Sequence, residues 1–138
     1  MKLYLDDVRT PIDVDWDIAR NYEDFVKYIE DVGLDNISLI SFDHDLGDTA
    51  MQEYYSNVVN NYELNYDNIT EKTGYDCIKW LVNHYLDNDF KTFPKIQVHS
   101  ANPIGAANII GYVNNFFKNL NIKDIAIQNK VPFKIDKK

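Results

Sequence analysis

Short apolar runs that end abruptly in polar, chemically capable residues occur at three places in this chain: residues 3–5, 37–42 and 96–98. They are followed by Asp6-Asp7-Val8-Arg9, Asp43-His44-Asp45 and His99-Ser100-Ala101-Asn102. Short apolar runs followed by turn-forming residues are typical of buried parallel strands, whose carboxyl ends meet at one edge of a sheet. The pattern therefore predicts one site assembled from three distant segments.

Segments with helical spacing lie between these strands. The first follows Asn21, a capping residue, and stops at Gly33. The second begins at Thr73, which forms a capping-box pattern with Asp76, and the third begins at Asn102, a cap followed by proline. Each has an apolar stripe: Tyr22, Phe25, Val26 and Ile29; Ile78, Leu81, Val82 and Tyr85; Ile109, Val113, Phe116 and Leu120.

Two more strands complete the predicted order. Residues 16–20 favour a short strand before the first helix, and residues 125–127 favour a last strand after the third. Strands that alternate with helices pair in parallel through right-handed crossovers. We therefore expect a single α/β domain over residues 1–138, with a three-layer open parallel sheet of the flavodoxin type, strand order 2-1-3-4-5 and an insertion after the third strand.

Two segments depart from this alternation. Residues 48–72 are rich in tyrosine and asparagine and make an unusually long connection, which is either a functional lid or a neutral insertion. Residues 118–138 form a basic C-terminal tail with six lysines against two aspartates. Such a tail either steers a phosphate-bearing ligand or is simply a solvated terminus.

The composition limits the classes of binding partner and indicates the cellular location. The formal net charge of −8 disfavours binding along a long duplex nucleic acid but does not exclude small phosphorylated ligands. No apolar run approaches the roughly 20 residues of a membrane-spanning helix, and the amino terminus lacks a secretory pattern. Cys77 is the only cysteine, so the sequence predicts no internal disulfide, no membrane and a cytoplasmic location.

Four motifs, in order along the chain, resemble those of the cyclic-phosphate processing receiver-like domain, a divergent branch of the response-regulator receiver fold. They are Leu5-Asp6-Asp7-Val8-Arg9, Phe42-Asp43-His44-Asp45-Leu46-Gly47, Thr73-Gly74-Tyr75-Asp76 and His99-Ser100-Ala101-Asn102-Pro103. Lys130, two residues before Pro132, adds to the likeness. The resemblance covers nearly the whole chain except the insertion and the tail. It implies a receiver-shaped scaffold that acts on cyclic phosphates, such as those at RNA ends.

Two histidines at strand ends point to acid–base chemistry. His44 and His99 follow strands that are neighbours in the predicted sheet, and adjacent strands lie about 4.8 Å apart. Opening a 2′,3′-cyclic phosphate with water needs a base and an acid, and two imidazoles with pKa values near about 6.5 can divide these roles. Asp45 either orients His44 or is itself a ligand. The alternative is a pair of structural histidines, and His84, in mid-helix, is left out of the site.

Acidic residues and anion donors accompany the histidines. Asp6, Asp7 and Asp43 resemble the acidic pocket in which receivers hold a divalent ion, so we expect Mg²⁺ or Mn²⁺ there unless these residues only cap turns. Three residues are candidates for holding the phosphate: Arg9, Ser100 and Asn102. Arginine offers a planar fork, and the backbone amides of a helix start favour anions. A surface ion pair for the arginine and a helix cap for the asparagine are the alternatives.

Three functions are compatible with these residues. The first is a phosphoesterase that processes cyclic phosphates on a small ligand or an RNA end by His-assisted hydrolysis. The second is a signalling receiver that is phosphorylated on Asp43 and coupled through Ser100 and Lys130 to a partner, although His44 and Asp45 crowd the acceptor. The third is a non-enzymatic module that binds a cyclic nucleotide and stacks its tyrosines on the bases.

Overall fold

A five-stranded parallel sheet forms the centre of the computed structural model, which describes residues 1–135. The strands are β1 (Lys2–Leu5), β2 (Arg9–Pro11), β3 (Trp16–Ala19), β4 (Leu39–Phe42), β5 (Lys95–Val98), β6 (Ile127–Gln128) and β7 (Phe133–Ile135). The order across the large sheet is β3-β1-β4-β5-β6, and every neighbouring pair is parallel. Because β2 lies outside this sheet, the order is the predicted 2-1-3-4-5 arrangement, and the α/β fold class is confirmed.

Within residues 1–135 the helices are α1 (Tyr22–Val32), α2 (Asp48–Glu53), α3 (Val59–Asn61), α4 (Gly74–Leu86) and α5 (Pro103–Asn119). The long helices α1, α4 and α5 share one core with alternate strand residues: Leu3, Leu5, Ile40, Phe42, Ile96 and Val98. The strand positions between these carry the buried Tyr4, Ser41 and Gln97, which therefore belong to the other face of the sheet. None of the described helices is long and apolar enough to cross a membrane.

The predicted caps fix where the long helices begin. The side chain of each accepts a backbone N–H of the first turn: Asn21 from Asp24, Thr73 from Tyr75, and Asn102 from Gly105. Asp76 completes the capping box with Thr73. Gly33 ends α1 with φ at 86°, a value that favours glycine. Caps of this kind contribute about 1 kcal/mol each, so local sequence determines these boundaries.

The last strand of the large sheet lies slightly later than residues 125–127. Ile125 is 66 % exposed, and the N–H of Ala126 donates to the Asn114 side chain at 2.7 Å instead of joining the strand. The strand pairing with β5 begins at Ile127. A side-chain acceptor from α5 therefore delays the strand, which the apolar pattern alone does not reveal.

A two-stranded antiparallel sheet, β2 with β7, joins distant parts of the chain. Its register places Arg9 opposite Ile135, Thr10 opposite Lys134 and Pro11 opposite Phe133. The Arg9 guanidinium carbon lies 5.1 Å from the centroid of the Phe133 ring. Lys134, predicted as part of a basic tail, is thus a strand residue, whereas Asp136, Lys137 and Lys138 lie outside the described residues.

The tyrosine-rich insertion is helical over much of its length. A π-helical turn, Tyr54–Val58, joins α2 to α3, and a 3-10 turn spans Tyr66–Asn68. Glu53, only 4 % exposed, organises this segment because its carboxylate accepts hydrogen bonds from the Asn57 side chain, the Asn65 N–H and the Asn68 side chain. The insertion is therefore built around a buried acceptor and brings α2 and the 3-10 turn together.

Candidate active site

A pocket of about 450 Å³ opens at the carboxyl edge of the sheet. The predicted site residues that line it are Asp7, Arg9, Asp43, Asp45 and Ser100. The remaining predicted residues, which are at most 2 % exposed, are Asp6, His44, His99 and Asn102. Each of these four contacts a lining residue, directly or through one neighbour. The structure thus arranges the predicted site as polar groups that face the pocket and buried groups that support them.

Two carboxylates anchor the Arg9 guanidinium. Its Nε lies 3.1 Å from Asp6 Oδ2, and a terminal nitrogen lies 3.8 Å from Asp43 Oδ1. Asp6 Oδ1 accepts the backbone N–H groups of Val8 and Arg9, at 3.0 and 2.7 Å. Burial by itself raises the pKa of Asp6, but the hydrogen bonds from His99 and these two amides outweigh it and hold the pKa below its ordinary value. Asp6 is therefore a fixed anion that orients Arg9.

His99 connects Asp6 to a chain of buried polar side chains. Its ring stacks on Tyr4 at a centroid distance of 4.1 Å, with Nε2 lying 3.0 Å from Asp6 Oδ2 and Nδ1 2.7 Å from Ser41 Oγ. Burial lowers the pKa of His99, so the ring is neutral at pH 7, and we assign its proton to Nε2 because the ionised Asp6 accepts it. The Ser41 hydroxyl then donates to Nδ1 and accepts from Gln97 at 3.1 Å. Both ring nitrogens of His99 are therefore engaged.

His44 belongs to a second cluster. Its Nδ1 lies 2.6 Å from Asp45 Oδ1, which also accepts from the Asn102 side chain at 3.2 Å. Its Nε2 lies 2.9 Å from the Tyr66 hydroxyl oxygen, which accepts from Asn108 at 3.0 Å. Burial raises the pKa of Tyr66 to about 12, so the hydroxyl keeps a proton to donate to Nε2. His44 therefore contacts the pocket through Asp45, and among residues 1–135 it shares no hydrogen-bond partner with His99.

The start of α4 holds the turn that carries these residues. The N–H of Gly74 donates to the His44 carbonyl oxygen at 2.9 Å. A Cβ at position 74 would lie 1.9 Å from the Asp43 carbonyl oxygen, so a residue with a side chain cannot approach this closely. This contact explains the glycine of the Thr73-Gly74 pair and fixes the backbone on which Asp43 and Asp45 are mounted.

Ser100 and Asn102, both predicted as phosphate donors, take different positions. Ser100 lines the pocket, and its Oγ accepts the N–H of Asn102 at 3.1 Å, which leaves the hydroxyl hydrogen for a ligand. The Asn102 side chain caps α5 through Gly105 and donates to Asp45. Ser100 is therefore placed to contact a ligand, whereas Asn102 supports Asp45 from behind.

Burial and crowding weaken the acidity of two lining carboxyl groups. Burial, with the charge of Asp6 beside it, raises the pKa of Asp43 well above its ordinary value, and Asp43 is 3 % exposed. The same two causes raise the pKa of Asp7 to about 6. Perturbed carboxyl groups in a cleft are typical of functional sites. A proton or a cation on these residues relieves their mutual repulsion.

Because the pKa of Asp7 is raised, the free energy of unfolding should depend on pH in a way that can be tested. Between its unfolded pKa of about 3.9 and its folded pKa of about 6, the native state binds more protons than the unfolded state, so stability falls as pH rises through this window. We expect Asp7→Asn to be more stable than the parent protein at pH 7.5 and equally stable below about pH 4. Urea denaturation in EDTA across this range measures the difference.

The exposed Asp89→Asn variant controls for the loss of one negative charge remote from the pocket. Asp7→Asn could instead raise the free energy of unfolding by the same amount from pH 4 to pH 7.5, or lower it at pH 7.5. Either result would contradict a raised pKa for Asp7.

A divalent cation fits some of the acidic residues better than others. Asp6, Asp43 and His99 each offer one ligand atom, and these atoms lie within 4.8 Å of one another. Asp6, however, already accepts hydrogen bonds from two backbone amides and from His99 and pairs with Arg9, which occupies its lone pairs. Asp7 and Asp43 line the pocket, and the pKa of each is raised even though Arg9 lies nearby. Because Mg²⁺ is commonly bound by one or two carboxylates with water and substrate oxygens, these two residues fit it.

Several supporting residues could not be predicted from the sequence. Tyr66 and Asn108 hold His44, and Phe133 packs on Arg9. Arg20 donates to the carbonyl oxygens of Asp6 and Arg9 at 3.1 and 2.6 Å and so fixes the turn after β1. The cluster of tyrosines around residue 66 was the one available signal, but the partner of each tyrosine depends on the tertiary fold.

The sheet order, the aspartates after β1 and β4 and the serine after β5 define a receiver-like domain. A family model described as the cyclic-phosphate processing receiver domain matches residues 1–115, and the chain belongs to this family, as the motifs implied. The matched span contains every predicted site residue and ends before β6. No curated protein and no solved structure gives a match to the chain.

Proposed function

We propose that this domain is a phosphoesterase that opens or removes cyclic phosphates in the pocket at the carboxyl edge of the sheet. The observation that carries the proposal is the convergence of a guanidinium, a hydroxyl and a histidine-backed carboxylate, from Arg9, Ser100 and Asp45, on one pocket of about 450 Å³. This volume suits a small ligand. Membership of a cyclic-phosphate processing family supports a phosphorylated ligand.

In this proposal Arg9 and Ser100 hold the phosphate. The Asp6 ion pair at 3.1 Å and the Phe133 ring restrict the guanidinium, so its remaining N–H groups are preorganised for an anion. The Ser100 hydroxyl donates to the phosphate from the loop after β5, on the same edge of the sheet. Fixed donors lose little entropy on binding and are most effective where charge develops in the transition state.

Proton transfer is assigned to carboxyl groups that the histidines support. A water molecule attacks phosphorus, its proton passes to Asp45, and the bond from phosphorus to one ribose oxygen breaks. Asp43, whose raised pKa favours the protonated form, gives its proton to the departing oxygen. His44 orients Asp45 through the 2.6 Å hydrogen bond, and His99 orients Asp6. In this proposal the histidines assist hydrolysis indirectly, because they orient carboxylates and do not themselves contact the substrate.

Mg²⁺ or Mn²⁺ is proposed as a cofactor on electrostatic grounds. The pocket lining contains Asp7, Asp43, Asp45 and Asp48 against Arg9, which opposes entry of an anion. Asp7 and Asp43 would hold the cation. When bound, it would supply positive charge to the phosphate and to the leaving oxygen. Asp43 would then be ionised, and the leaving oxygen would take its proton from water instead of from Asp43. Comparison of turnover in EDTA and in Mg²⁺ therefore distinguishes a proton on Asp43 from a cation.

The experiment follows a nucleoside 2′,3′-cyclic phosphate by phosphorus NMR with matched variants. Loss of a general base typically costs about 10²- to 10⁴-fold, so we expect Asp45→Asn to lose turnover to that extent. His44→Gln and His99→Gln should each lose at least about tenfold, because they misplace Asp45 and Asp6. His84→Gln is the control, since that ring stacks on Trp80 and neither residue lines the pocket. Full turnover by Asp45→Asn, with folding verified by thermal melting, contradicts the proposal.

Phosphorylation of Asp43 in the manner of a signalling receiver is less well supported. The carboxyl group is 3 % exposed, and its raised pKa reduces the ionised fraction that could attack a phosphodonor. Lys130 lies with Ser100 in a separate cavity of about 280 Å³. A base-labile phosphoryl adduct on Asp43 after incubation with acetyl phosphate would favour this second function.

A further inference from the structure

The pocket has an apolar and aromatic wall that the proposed chemistry does not use. Met51, Tyr54 and Tyr55 come from α2 and the π-helical turn, and Phe133 and Ile135 come from β7. Neither element belongs to the large sheet, and the two are separated by most of the chain. Two segments outside the large sheet therefore place apolar side chains beside the polar residues of the pocket.

These wall residues are unusually exposed for their size. Tyr55 is 61 % exposed, Ile135 62 %, Phe133 42 % and Met51 37 %. Large apolar groups gathered in a cleft and exposed to water commonly mark a site where a ligand buries them. The π-helical turn that carries Tyr54 and Tyr55 is a rare geometry that is frequent at functional sites.

One contact joins the wall to a phosphate donor, and another joins two wall residues to each other. The Phe133 ring lies 5.1 Å from the guanidinium carbon of Arg9, and Tyr54 and Tyr55 meet edge to face at 5.1 Å. A ligand whose phosphate reaches Arg9 and Ser100 has its other end against these rings. Among cyclic phosphates, a nucleotide has a flat base at that end, and aromatic side chains stack on any base.

We propose that Tyr55 and Phe133 form a nucleobase subsite, so that the ligand is a nucleoside or oligonucleotide cyclic phosphate rather than a base-free one. This inference rests on the proposed function, because the phosphate donors set the orientation of the ligand. Since stacking on an aromatic side chain is insensitive to base identity, the subsite accepts purines and pyrimidines alike.

The test compares two ligands with the full chain carrying Asp45→Asn, which prevents turnover during the measurement. Isothermal titration in Mg²⁺ at pH 7 measures the affinity for cytidine 2′,3′-cyclic phosphate and for glycerol 1,2-cyclic phosphate, which lacks a base. We expect the nucleotide to bind at least about tenfold more tightly. Adding Tyr55→Ala should remove about that factor for the nucleotide and leave the glycerol compound unchanged. Phe133→Ala also releases the Arg9 guanidinium, so it should weaken binding of both ligands, and of the nucleotide more.

Tyr62→Ala is the matched control, because this tyrosine is 63 % exposed in the same insertion and does not line the pocket. Equal affinity for the two ligands, or an equal loss for both in the wall variants, overturns the nucleobase subsite and leaves the proposed function intact. If neither cyclic phosphate binds to the parent or to the Asp45→Asn protein, the proposed function itself fails.

Discussion

Arg9→Gln is expected to lower the turnover of cyclic phosphates by about 10²-fold or more and to destabilise the protein. Among residues 1–135, Arg9 is the only lysine or arginine that lines the pocket. Its ion-pair partner, Asp6, is fully buried. Removing one member of a buried ion pair leaves an uncompensated charge, which costs about 3 kcal/mol. Loss of the guanidinium also removes the donor that stabilises charge on the phosphate, for which about 10²-fold or more in kcat is typical.

Arg9→Lys separates the two effects. It keeps the positive charge beside Asp6 but loses the fork that binds two oxygens, so stability should be largely retained while turnover stays low. The exposed pair Lys27–Asp31 provides a control, because Lys27→Gln should change neither property. Urea denaturation and the phosphorus NMR assay, at a temperature where each variant is folded, measure these outcomes. Undiminished turnover by Arg9→Gln would exclude Arg9 as the phosphate donor.

Gly105→Ala and Gly111→Ala, on the same helix, are expected to have opposite effects. A Cβ at position 105 would lie 2.3 Å from Cγ of the His44 ring, which is fully buried between Asp45 and Tyr66. The ring must move and lose its aligned hydrogen bond to Asp45, so we expect a loss of about 1–3 kcal/mol in stability and at least about tenfold in turnover.

Gly111 is the matched control because, in the described part of the chain, a Cβ there meets no atom within 4 Å outside the adjoining backbone of its own helix. Replacing this exposed mid-helix glycine with alanine should stabilise α5 by up to about 1 kcal/mol without changing turnover. Denaturation curves and initial rates of both variants test the pair. If Gly105→Ala behaves like Gly111→Ala, the packing of His44 against α5 does not control Asp45.

Local sequence was sufficient for much of the fold. The caps at Asn21, Thr73 and Asn102 and the stop at Gly33 determine the long helices through interactions within a few residues. The apolar runs and the right-handed crossover rule then order the strands. Pairing of β2 with β7 was not foreseeable, since both strands are short, one contains Pro11, and the contact links opposite ends of the chain.

The candidate site was predictable in position but not in detail. The convergence of three strand ends follows from topology, and five predicted residues do line one pocket. The direction of each histidine ring depends on distant partners: His44 on Gly105 and Tyr66, and His99 on Ser41 and Tyr4. Spacing in sequence carries no information about such contacts. The prediction that the histidines assist hydrolysis therefore remains a prediction, now with a defined carboxylate partner for each.

Turnover by the unmodified protein is the most direct test of cyclic-phosphate hydrolysis in this pocket. The protein is incubated at pH 7 in ¹⁸O-labelled water with nucleoside 2′,3′-cyclic phosphates, with Mg²⁺ or Mn²⁺ and separately with EDTA, and phosphorus NMR follows the products. We expect the cyclic ester to open to a phosphomonoester with one ¹⁸O atom bound to phosphorus, or to release phosphate that carries two. Unchanged cyclic phosphate under all these conditions, or product without ¹⁸O on phosphorus, would contradict hydrolysis by attack of water at phosphorus.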